Sequence, residues 1–435
     1  MKRILIKNLK DNIGSEVLLK GWVQEVRNLN KIKFIILRDY TGDMQTIALK
    51  SKTEELDFNK IDDLTKESVV EIIGTPKENK ESRWGIEVVI SKLDIVNLSE
   101  VPLPLDNTDK SNSNLDTRLD YRFLDVRNLN KQAIFKIRSK IAKILIDFFE
   151  SNGFTNVNTP KITSLGVESG AEIFTLNYFG KDAYLAQSPQ IYKQMFMAAG
   201  LERVYEIAPV FRAEKSHTTR HLAEFTGVDC EMAFIENENE LMDFAELMIK
   251  NLLGRLKEEA AFDLERLGVV LNAPKEIPRI SMEDAKKMLA DRGKKYSEDD
   301  DLDPEGEELL GKIVKDKYGC DFVFLTKFPW EVRPFYHMKP DTESKETKSF
   351  DLLYKGVEIC TGGQREHRLE QLRAQANEKG LNLDLMEKYV ELFKFGMPPH
   401  GGIGFGLDRI TQRLLNLDNV REAVLLPRDP DRMLP

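Results

Sequence analysis

Hydrophobic and polar positions alternate over much of the first hundred residues. Runs rich in β-branched and aromatic residues, separated by turn residues, predict strands over 17–26, 33–38, 44–49, 69–74 and 86–96. Five such strands in about 85 residues favour a small β-barrel. A proline-containing stretch rich in Asn, Ser and Asp follows at 101–114 and predicts a linker. We therefore expect an N-terminal domain over 1–102 and a linker or hinge over 103–130.

The pattern changes to helical spacing after the linker. Ile134, Ile137, Ile141 and Phe148 recur on one face and predict an amphipathic helix over 131–152. Gly153 can supply the left-handed residue that ends it, and a strand ending at Pro160 is predicted next. The remainder alternates strands with helices and carries all five histidines. A second domain over 131–435 is therefore the place to look for chemistry.

Composition and charge narrow the class of protein. The 435 residues leave room for two or three domains, and 41% hydrophobic with 31% charged residues is typical of a globular protein. No apolar run approaches the roughly 18 residues of a membrane span, and residues 1–10 lack the pattern of a secretory signal. The three cysteines show no paired spacing, which argues against a zinc knuckle or a disulfide framework. We expect a cytoplasmic protein with no membrane partner, whose net charge of −9 requires any nucleic-acid surface to be locally basic.

A long hairpin is predicted over 203–234, with a polar loop at 215–221. Alternation places Arg212 and Glu214 on one face. An arginine fixed on a strand suits bidentate contact with a phosphate. Arg220 and His221 in the loop add positive charge, so the segment could cradle a polyphosphate. An exposed hairpin with ordinary surface charges explains the pattern equally well at this point.

A tight hairpin is predicted around a turn at Lys355-Gly356. Regular pairing from that turn places Asp351 opposite Cys360 and diagonal to Glu358. Two carboxylates so placed can share Mg²⁺, which binds through few carboxylates and substrate phosphates. An ion pair with nearby lysines is the alternative, and the pair alone favours it.

A glycine-rich run at 400–406 is predicted to be a turn that opens an amphipathic helix. Its glycines permit close backbone approach, and Arg409 at the helix start favours an anion. The run matches neither the dinucleotide fingerprint nor the Gly-Lys-Ser/Thr phosphate loop. By itself a glycine-rich turn is weak evidence for binding.

The order of these segments along the chain resembles the order of motifs in a known family. A helix followed by Pro160, then Phe211-Arg212-Ala213-Glu214, then 404–409 resembles motifs one, two and three of class II aminoacyl-tRNA synthetases. Residues 185–194, 220–226 and 362–368 resemble subclass b, the aspartyl enzymes of archaeal and eukaryotic type, and the likeness covers nearly the whole chain. It implies an α+β fold, in which a five-stranded OB-type barrel precedes a class II catalytic domain built on an antiparallel sheet flanked by helices. Within 131–435 it implies the segments motif 1 at about 131–160, motif 2 at about 203–234, a variable insertion at about 240–330 and motif 3 at about 400–416.

The resemblance implies a two-step reaction in translation. ATP and L-aspartate would form aspartyl-adenylate, and the aspartyl group would pass to the 3′-terminal adenosine of tRNA. Arg212, Glu214 and Arg409 would be catalytic, with Phe225 and Arg409 enclosing the adenine. The implied ATP-binding set is Arg212, Glu214, Arg220, His221, Leu222, Phe225, Glu358, Gly406 and Arg409. Asp351, Glu358 and Thr361 would hold Mg²⁺, and Thr361 reaches that face only if Gly362 and Gly363 create a bulge.

The resemblance also implies an aspartate pocket. Lys193 and Arg365 would hold the side-chain carboxylate, Glu168 and Gln190 would take the ammonium, and Arg212 and Thr361 would complete the set. Buried carboxylates require such cations, and a neutral amide would leave them uncompensated, which favours aspartate. An asparaginyl-tRNA synthetase of the same fold remains an alternative. The second alternative is either a tRNA-independent amide ligase derived from a synthetase or a barrel protein that only binds nucleic acid.

For the barrel, the resemblance implies that Arg27, Phe34 and Gln45 read the anticodon, with Phe34 stacking on a base. A core aromatic is the plain alternative for a single strand phenylalanine. Gln24 stands where archaeal-type enzymes often carry an aromatic residue or histidine. This leaves open whether tRNA(Asn) is a partner in addition to tRNA(Asp). The motif-one helix implies a homodimer.

Overall fold

The computed structural model describes residues 1–108, 113–164, 172–215, 218–381 and 386–434. The chain divides into two compact units, Met1–Leu129 and Asn130–Pro435. Each unit has its own hydrophobic core.

The N-terminal unit is a closed five-stranded barrel with strand order β1-β2-β3-β5-β4. The strands are β1 Val17–Asn28, β2 Ile32–Asp39, β3 Gly42–Leu49, β4 Val69–Glu78 and β5 Ile86–Asn97. Inward positions alternate along each strand and fill the barrel with aliphatic side chains such as Leu19, Ile35 and Val70. The barrel predicted from alternation is confirmed.

Three short helices belong to the same unit. They are α1 Glu55–Lys60, α2 Leu115–Asp120 and α3 Arg122–Asp125. Glu67 is fully buried and accepts hydrogen bonds from Arg38 at 2.6 Å, Asn107 at 2.9 Å and Arg127 at 3.1 Å. Part of the segment predicted as a linker is therefore ordered around this carboxylate.

The C-terminal unit is built on an eight-stranded sheet with order β12-β13-β14-β15-β16-β11-β10-β6. Neighbours pair antiparallel except at the two ends, where β12 with β13 and β10 with β6 are parallel. The strands of this sheet are β6 Thr155–Asn156, β10 Arg203–Phe211, β11 Glu224–Ala233, β12 Arg279–Ser281, β13 Phe322–Thr326, β14 Ser349–Tyr354, β15 Val357–Arg365 and β16 His400–Gly406. A smaller sheet contains β7 Ile162–Thr163, β8 Thr175–Tyr178 and β9 Lys181–Leu185.

Helices cover this sheet. They are α4 Leu129–Ser151, α5 Gln190–Ala198, α6 Glu238–Glu259, α7 Ala261–Arg266, α8 Met282–Ala290, α9 Pro304–Tyr318, α10 Leu369–Glu378, α11 Glu387–Lys394 and α12 Leu407–Leu414. The predicted helix over 131–152 is confirmed as α4, and Gly153 follows it at φ +78°. The strand predicted to end at Pro160 is shorter than expected, because only Thr155 and Asn156 pair with the sheet.

Two predictions about the sheet are wrong. The glycine-rich run is not a turn: β16 lies between β15 and β11, paired with both. The β14–β15 hairpin does turn at Lys355-Gly356, with φ values of +49° and +68°. Its register then shifts, so Asp351 lies opposite Thr361 and not Cys360.

Candidate active site

A cavity of about 360 Å³ opens in the C-terminal unit. Its walls come from the loop between β10 and β11, from the middle of β15 and from the junction of β16 with α12. Most residues predicted for ATP and aspartate line it together: Gln190, Lys193, Arg212, Glu214, Arg220, His221, Leu222, Phe225, Glu358, Thr361, Arg365, Gly406 and Arg409. Side chains scattered over more than 200 positions therefore share one surface.

Positive charge is concentrated at one end of the cavity. Arg212 follows β10 directly, with its guanidinium carbon 5.4 Å from the ring centre of Phe225. Its Nη1 is 3.8 Å from a Glu214 oxygen, and its buried Nε has no hydrogen-bond partner in the structure as described. Arg409 on α12 donates to the Glu358 backbone oxygen at 2.9 Å. Two arginines with spare donors therefore face a space that an aromatic ring also borders.

His221 completes this end. Its Nε2 lies 3.8 Å from Glu214, and Thr218 contacts its Nδ1 at 2.6 Å. Burial, together with the charges of Arg409 and Arg212, lowers the pKa of His221 despite the nearby carboxylate of Glu214. A neutral imidazole beside two arginines leaves the guanidinium groups to supply the positive charge.

The register shift in the β14–β15 hairpin brings three oxygen-bearing side chains to one face. Leu353 pairs with Glu358 and Leu352 pairs with Cys360, so Ile359 is the extra residue of a bulge. Beyond it Thr361 returns to the face of Glu358 and donates to its Oε1 at 2.8 Å. The bulge therefore lies at Ile359, three residues before the Gly362-Gly363 pair at which it was expected.

Three carboxyl groups influence one another at this face. Burial raises the pKa of Asp351 to about 7, and the charge of Glu358 adds to the shift although Arg333 opposes it. Burial raises the pKa of Glu307, at the start of α9, to about 8, and Glu358 and Asp351 act in the same direction. Burial would also raise the pKa of Glu358, but Arg409 and Thr361 bring it below its ordinary value. Further positive charge would stabilise these carboxylates.

The donor set fits Mg²⁺ in the manner of a nucleotide enzyme. Among the residues that the structure describes, no three His, Cys, Asp or Glu side chains converge closely enough to cage a metal ion. Mg²⁺ usually takes one or two carboxylates together with substrate phosphates and waters. Asp351 Oδ1 forms an ion pair with Arg333 Nη2 at 2.8 Å, and among the described residues it has no well-aligned hydrogen-bond donor. Glu358 lines the cavity, whereas Asp351 lies behind it, outside the lining.

Four charged side chains form a network at the other end of the cavity. Lys193 on α5 places its Nζ 3.0 Å from Asp229 Oδ1 and 3.3 Å from Glu231 Oε2. Arg365 on β15 donates through Nε to Glu231 Oε1 at 3.0 Å. Glu231 is fully buried and both cations are nearly so, whereas Asp229 lines the cavity.

The ion pairs of this network favour the charged forms of its buried side chains. Burial would lower the pKa of Lys193, but Asp229 and Glu231 raise it above its ordinary value. Burial would raise the pKa of Glu231, but Arg365 and Lys193 lower it. The expectation that a neutral ligand would leave Lys193 and Arg365 uncompensated is therefore wrong, because two carboxylates already pair with them.

Gln190 and His337 extend the network through Arg365. Arg365 Nη2 donates to Gln190 Oε1 at 3.2 Å, and Nη1 contacts His337 Nε2 at 2.7 Å. Burial and the charge of Arg365 hold the pKa of His337 well below its usual value, so Nε2 accepts and the proton resides on Nδ1. Gln190 Nε2 and His337 Nδ1 are buried donors that have no partner in the structure as described. Gln190 thus offers a donor, which suits a carboxylate better than the ammonium predicted for it.

A second network joins the three predicted motifs. Arg138 on α4 donates through Nε to Asp408 Oδ1 at 2.8 Å and through Nη2 to Thr226 Oγ1 at 2.9 Å. Asp408 Oδ2 accepts from the Thr226 backbone N–H at 2.8 Å. These bonds fix the start of α12 against β11, and therefore hold Arg409 in relation to Phe225.

Four predicted residues that the structure describes do not line this cavity: Asp351, Arg27, Phe34 and Gln45. Glu168 lies outside the described residues. Arg27, Phe34 and Gln45 belong to the barrel, where Arg27 pairs across strands with Phe34, and Gln45 Nε2 donates to Glu87 at 3.2 Å. All three are at least partly exposed.

The sequence patterns did not predict roles for Asp229, Glu231, His337 or the Arg138–Asp408 pair. One signal was available, because Asp229 and Glu231 alternate with the apolar residues Val228, Cys230 and Met232 and so share a face. No local pattern singles out His337, which reaches the cavity from an irregular segment. The Arg138–Asp408 pair joins positions 270 residues apart.

The known proteins and families that this chain resembles are tRNA synthetases and the OB-fold domain. The family "tRNA synthetases class II (D, K and N)" matches residues 114–430, and "OB-fold nucleic acid binding domain" matches 17–96. An aspartate–tRNA(Asp) ligase from Pyrococcus horikoshii is 47% identical over 97% of each chain. An aspartate–tRNA(Asp/Asn) ligase from Aeropyrum pernix is 43% identical over 99% of this chain and 98% of its own. The solved structure of asparaginyl-tRNA synthetase from Pyrococcus horikoshii with asparaginyl-adenylate superposes with a TM-score of 0.94 at 30% identity, covering all of both chains.

Every helix among the described residues is too short or too polar to traverse a lipid bilayer.

Proposed function

Because this chain belongs to the class II tRNA synthetase family of the D, K and N group, we propose that its cavity joins L-aspartate to the 3′-terminal adenosine of tRNA at the expense of ATP. It is an aspartate–tRNA ligase of archaeal type, as the near full-length identity to curated ligases of that name supports. The observation that carries the assignment is the juxtaposition, in one cavity, of an arginine-rich end and the Lys193–Arg365 network.

In the first step the α-carboxylate of aspartate attacks the α-phosphorus of ATP, and pyrophosphate leaves. Arg212 stabilises the charge that develops on the α-phosphate, since its guanidinium has spare donors and is already fixed beside Phe225. The adenine lies between Phe225 and Arg409. Glu214 orients Arg212 and His221, and Arg220, Leu222 and Gly406 complete the nucleotide site.

Mg²⁺, when bound, would supply positive charge that neutralises the phosphates of ATP. Asp351, Glu358 and Thr361 are the residues that would hold it. Glu358 and Thr361 supply oxygens at the cavity wall, and Asp351 adds charge from behind. In the second step the tRNA 3′-hydroxyl attacks the aspartyl carbonyl, and AMP leaves.

The end of the cavity that contains the Lys193–Arg365 network selects aspartate by the positions of its charged side chains. Lys193 and Arg365 hold its side-chain carboxylate, and Asp229, which lines the cavity, pairs with its ammonium. The unpartnered Gln190 Nε2 and His337 Nδ1 donate to carboxylate oxygens. Glu168 is proposed as a further partner of the ammonium on the resemblance alone, and Arg212 and Thr361 border the α-carboxylate.

The decisive experiment is amino-acid-dependent exchange between ATP and pyrophosphate. Purified protein should catalyse exchange with L-aspartate and not with L-asparagine or L-lysine. Exchange with asparagine alone would instead establish the asparaginyl enzyme, whose solved relative has the same fold. Exchange with aspartate but no transfer to any tRNA would indicate the tRNA-independent ligase.

The barrel is proposed to read the anticodon. Phe34 is half-buried on β2 beside exposed Arg27, a placement that lets a base stack on the ring. Glu87 accepts from Gln45 Nε2, which orients the amide oxygen to accept from a base N–H. Transcripts of tRNA(Asp) with the central anticodon base changed should lose aspartylation while exchange continues.

We also infer that the enzyme charges tRNA(Asn). The pairing register of β1 with β2 shifts between Val23 and Glu25, so Gln24 occupies a bulge. The Gln24 Oε1 is buried and has no hydrogen-bond partner among the described residues. Such a residue offers a base neither an aromatic ring nor a cation with which to discriminate. Side-by-side aspartylation of tRNA(Asp) and tRNA(Asn) tests the inference, and charging of tRNA(Asp) alone would contradict it.

We propose that the enzyme works as a homodimer in the cytoplasm. Thr155 and Asn156 form the edge strand of the eight-stranded sheet and are both exposed. Such an edge is open to a second copy, and the preceding helix α4 can pack beside it. Light scattering at micromolar concentration should give twice the 50.0 kDa chain mass. A monomeric mass would contradict the proposal.

A further inference from the structure

The first turn of α9 lies beside the nucleotide end of the cavity, in the segment to which the resemblance assigns no role. Its start is fixed by Asp303, whose side chain accepts from the Gly306 backbone N–H at 2.8 Å, with Pro304 at the first helical position. Because α9 begins at a capped position, the side chains of its first turn have defined places.

The same helix is packed tightly against the β14–β15 turn. A Cβ on Gly311 would lie 2.5 Å from the Gly356 nitrogen, and one on Gly356 would lie 2.6 Å from Glu308 Cα. Two glycines therefore let the backbones touch. This contact couples α9 to the hairpin that carries Glu358.

Arg220 reaches α9 from the opposite side of the cavity. The backbone oxygen of its neighbour Thr219 accepts from Val420 N at 2.9 Å and from Gln412 Nε2 at 3.2 Å. The Arg220 guanidinium then donates through Nη1 to Glu307 Oε2 at 2.9 Å. Arg220 and Glu307 side chains are 17% and 20% exposed, so the bond is largely shielded from water.

We propose that Glu307 is a positioning residue for ATP, which holds the Arg220 guanidinium so that its remaining donors face the polyphosphate. An arginine has five N–H donors in a rigid plane, and one bond to Glu307 sets the orientation of that plane. Fixing a long side chain before binding removes part of the entropy cost of ordering it around a ligand. The inference rests on the proposed function, since it requires ATP in this cavity.

The test separates ATP binding from the rest of the reaction. Glu307→Ala should raise KM for ATP in aspartate-dependent exchange by about tenfold, the order expected for one well-placed hydrogen bond to a charged group. KM for aspartate should stay unchanged. Glu307→Gln should recover most of the loss, because its amide oxygen can still accept from Arg220. Calorimetric titration with Mg-ATP should give the same order of affinities.

A double-mutant cycle identifies the residue through which Glu307 acts. In an Arg220→Ala background, Glu307→Ala should add nothing further to KM for ATP. Glu305→Gln removes a charge from the same helical turn and serves as the matched control, since Glu305 is exposed and pairs with Lys294. Thermal unfolding of each variant reports whether the fold is intact.

Three outcomes overturn the proposal. A lower KM for ATP in Glu307→Ala would mean that Glu307 competes with the nucleotide for Arg220. An equal rise in the Arg220→Ala background would mean that it acts independently. A joint change in melting temperature and in both KM values would mean that it only supports the fold. Absence of any aspartate-dependent exchange in the unmutated protein would refute the proposed function instead.

Discussion

Asp351→Asn should stabilise the C-terminal unit, and by more at about pH 8 than at about pH 5. Burial raises the pKa of Asp351 to about 7 from an ordinary value of 3.8, and Glu358 reinforces the shift. Between those two values the folded state binds more protons at this site than the unfolded state. The free energy of unfolding therefore falls as pH rises through this range, because the buried carboxyl must ionise. Asparagine cannot ionise and avoids that loss.

The pKa difference sets the size of the effect. A gap of about 3 units at about 1.4 kcal/mol per unit gives an upper limit near ~4 kcal/mol above pH 7. Losing the contact with Arg333 offsets part of it, so we expect a net gain of about 1–3 kcal/mol at pH 8 and near zero at pH 5. The gain should disappear when Mg-ATP is present, since positive charge then compensates the unmutated carboxylate.

Urea unfolding in EDTA measures this difference. Trp330 is the one tryptophan of the C-terminal unit, so a background in which Trp22 and Trp84 are phenylalanine confines the fluorescence signal to that unit. Asp316→Asn, an exposed carboxylate on α9, is the matched control and should change little at either pH. A stability difference between Asp351→Asn and its parent that is constant or shrinks with pH would refute the reasoning.

Three further changes test other parts of the structure. Lys193→Met should raise KM for aspartate by about 100-fold or more, measured by exchange, because the side-chain carboxylate of the substrate loses one of its two cations; an unchanged KM would mean that Lys193 does not bind the substrate. Gly402→Ala should cost about 3 kcal/mol or more in urea unfolding, since its Cβ would lie 1.9 Å from Glu231 Oε2. Phe34→Ala and Gln45→Ala should each lower kcat/KM for tRNA(Asp) by about 10- to 100-fold and leave exchange intact; equal losses in exchange would place their effect in the fold.

The elements that follow from local periodicity were predicted with nearly correct bounds. The five barrel strands and helix α4 each bury one face, so alternation or helical spacing marks them without knowledge of their partners. The Lys355-Gly356 turn was also found, because two consecutive left-handed residues favour glycine there. Such patterns do not predict how two strands pair beyond a bulge. The extra residue Ile359 is as apolar as its neighbours, yet it decides that Thr361 and not Cys360 lies opposite Asp351.

The glycine-rich strand β16 was missed for a related reason. Glycine weakens a strand and suggests a turn, so propensity points away from the centre of a sheet. The observed neighbours explain its presence. A Cβ on Gly401 would lie 2.7 Å from Ile235 and Leu241 side-chain carbons, and one on Gly402 would meet Glu231. The glycines make room for packing partners and for a buried carboxylate that come from distant parts of the chain, which no local pattern records.

The amino-acid pocket shows how such distant partners change a functional argument. Lys193 and Arg365, seen alone in the sequence, suggest a surplus of two positive charges that only an acidic side chain could neutralise. With Asp229 and Glu231 beside them, the four charges cancel before any ligand binds. Selection of aspartate over asparagine must then depend on how the ion pairs of the pocket rearrange when the amino acid binds, and not on the net charge of the empty pocket.

An amino acid whose ammonium engages Asp229 draws that carboxylate away from Lys193. The lysine is then left with Glu231, which it shares with Arg365. A side-chain carboxylate restores the missing partner, whereas an amide offers only a weak acceptor and places an N–H₂ group toward two cations. Discrimination against asparagine should therefore strengthen in Asp229→Asn, because the two cations then keep only Glu231 and their surplus positive charge is neutralised by a carboxylate but not by an amide. That variant should show a larger ratio of aspartate to asparagine exchange, and an unchanged ratio would mean that Asp229 has no part in the selection.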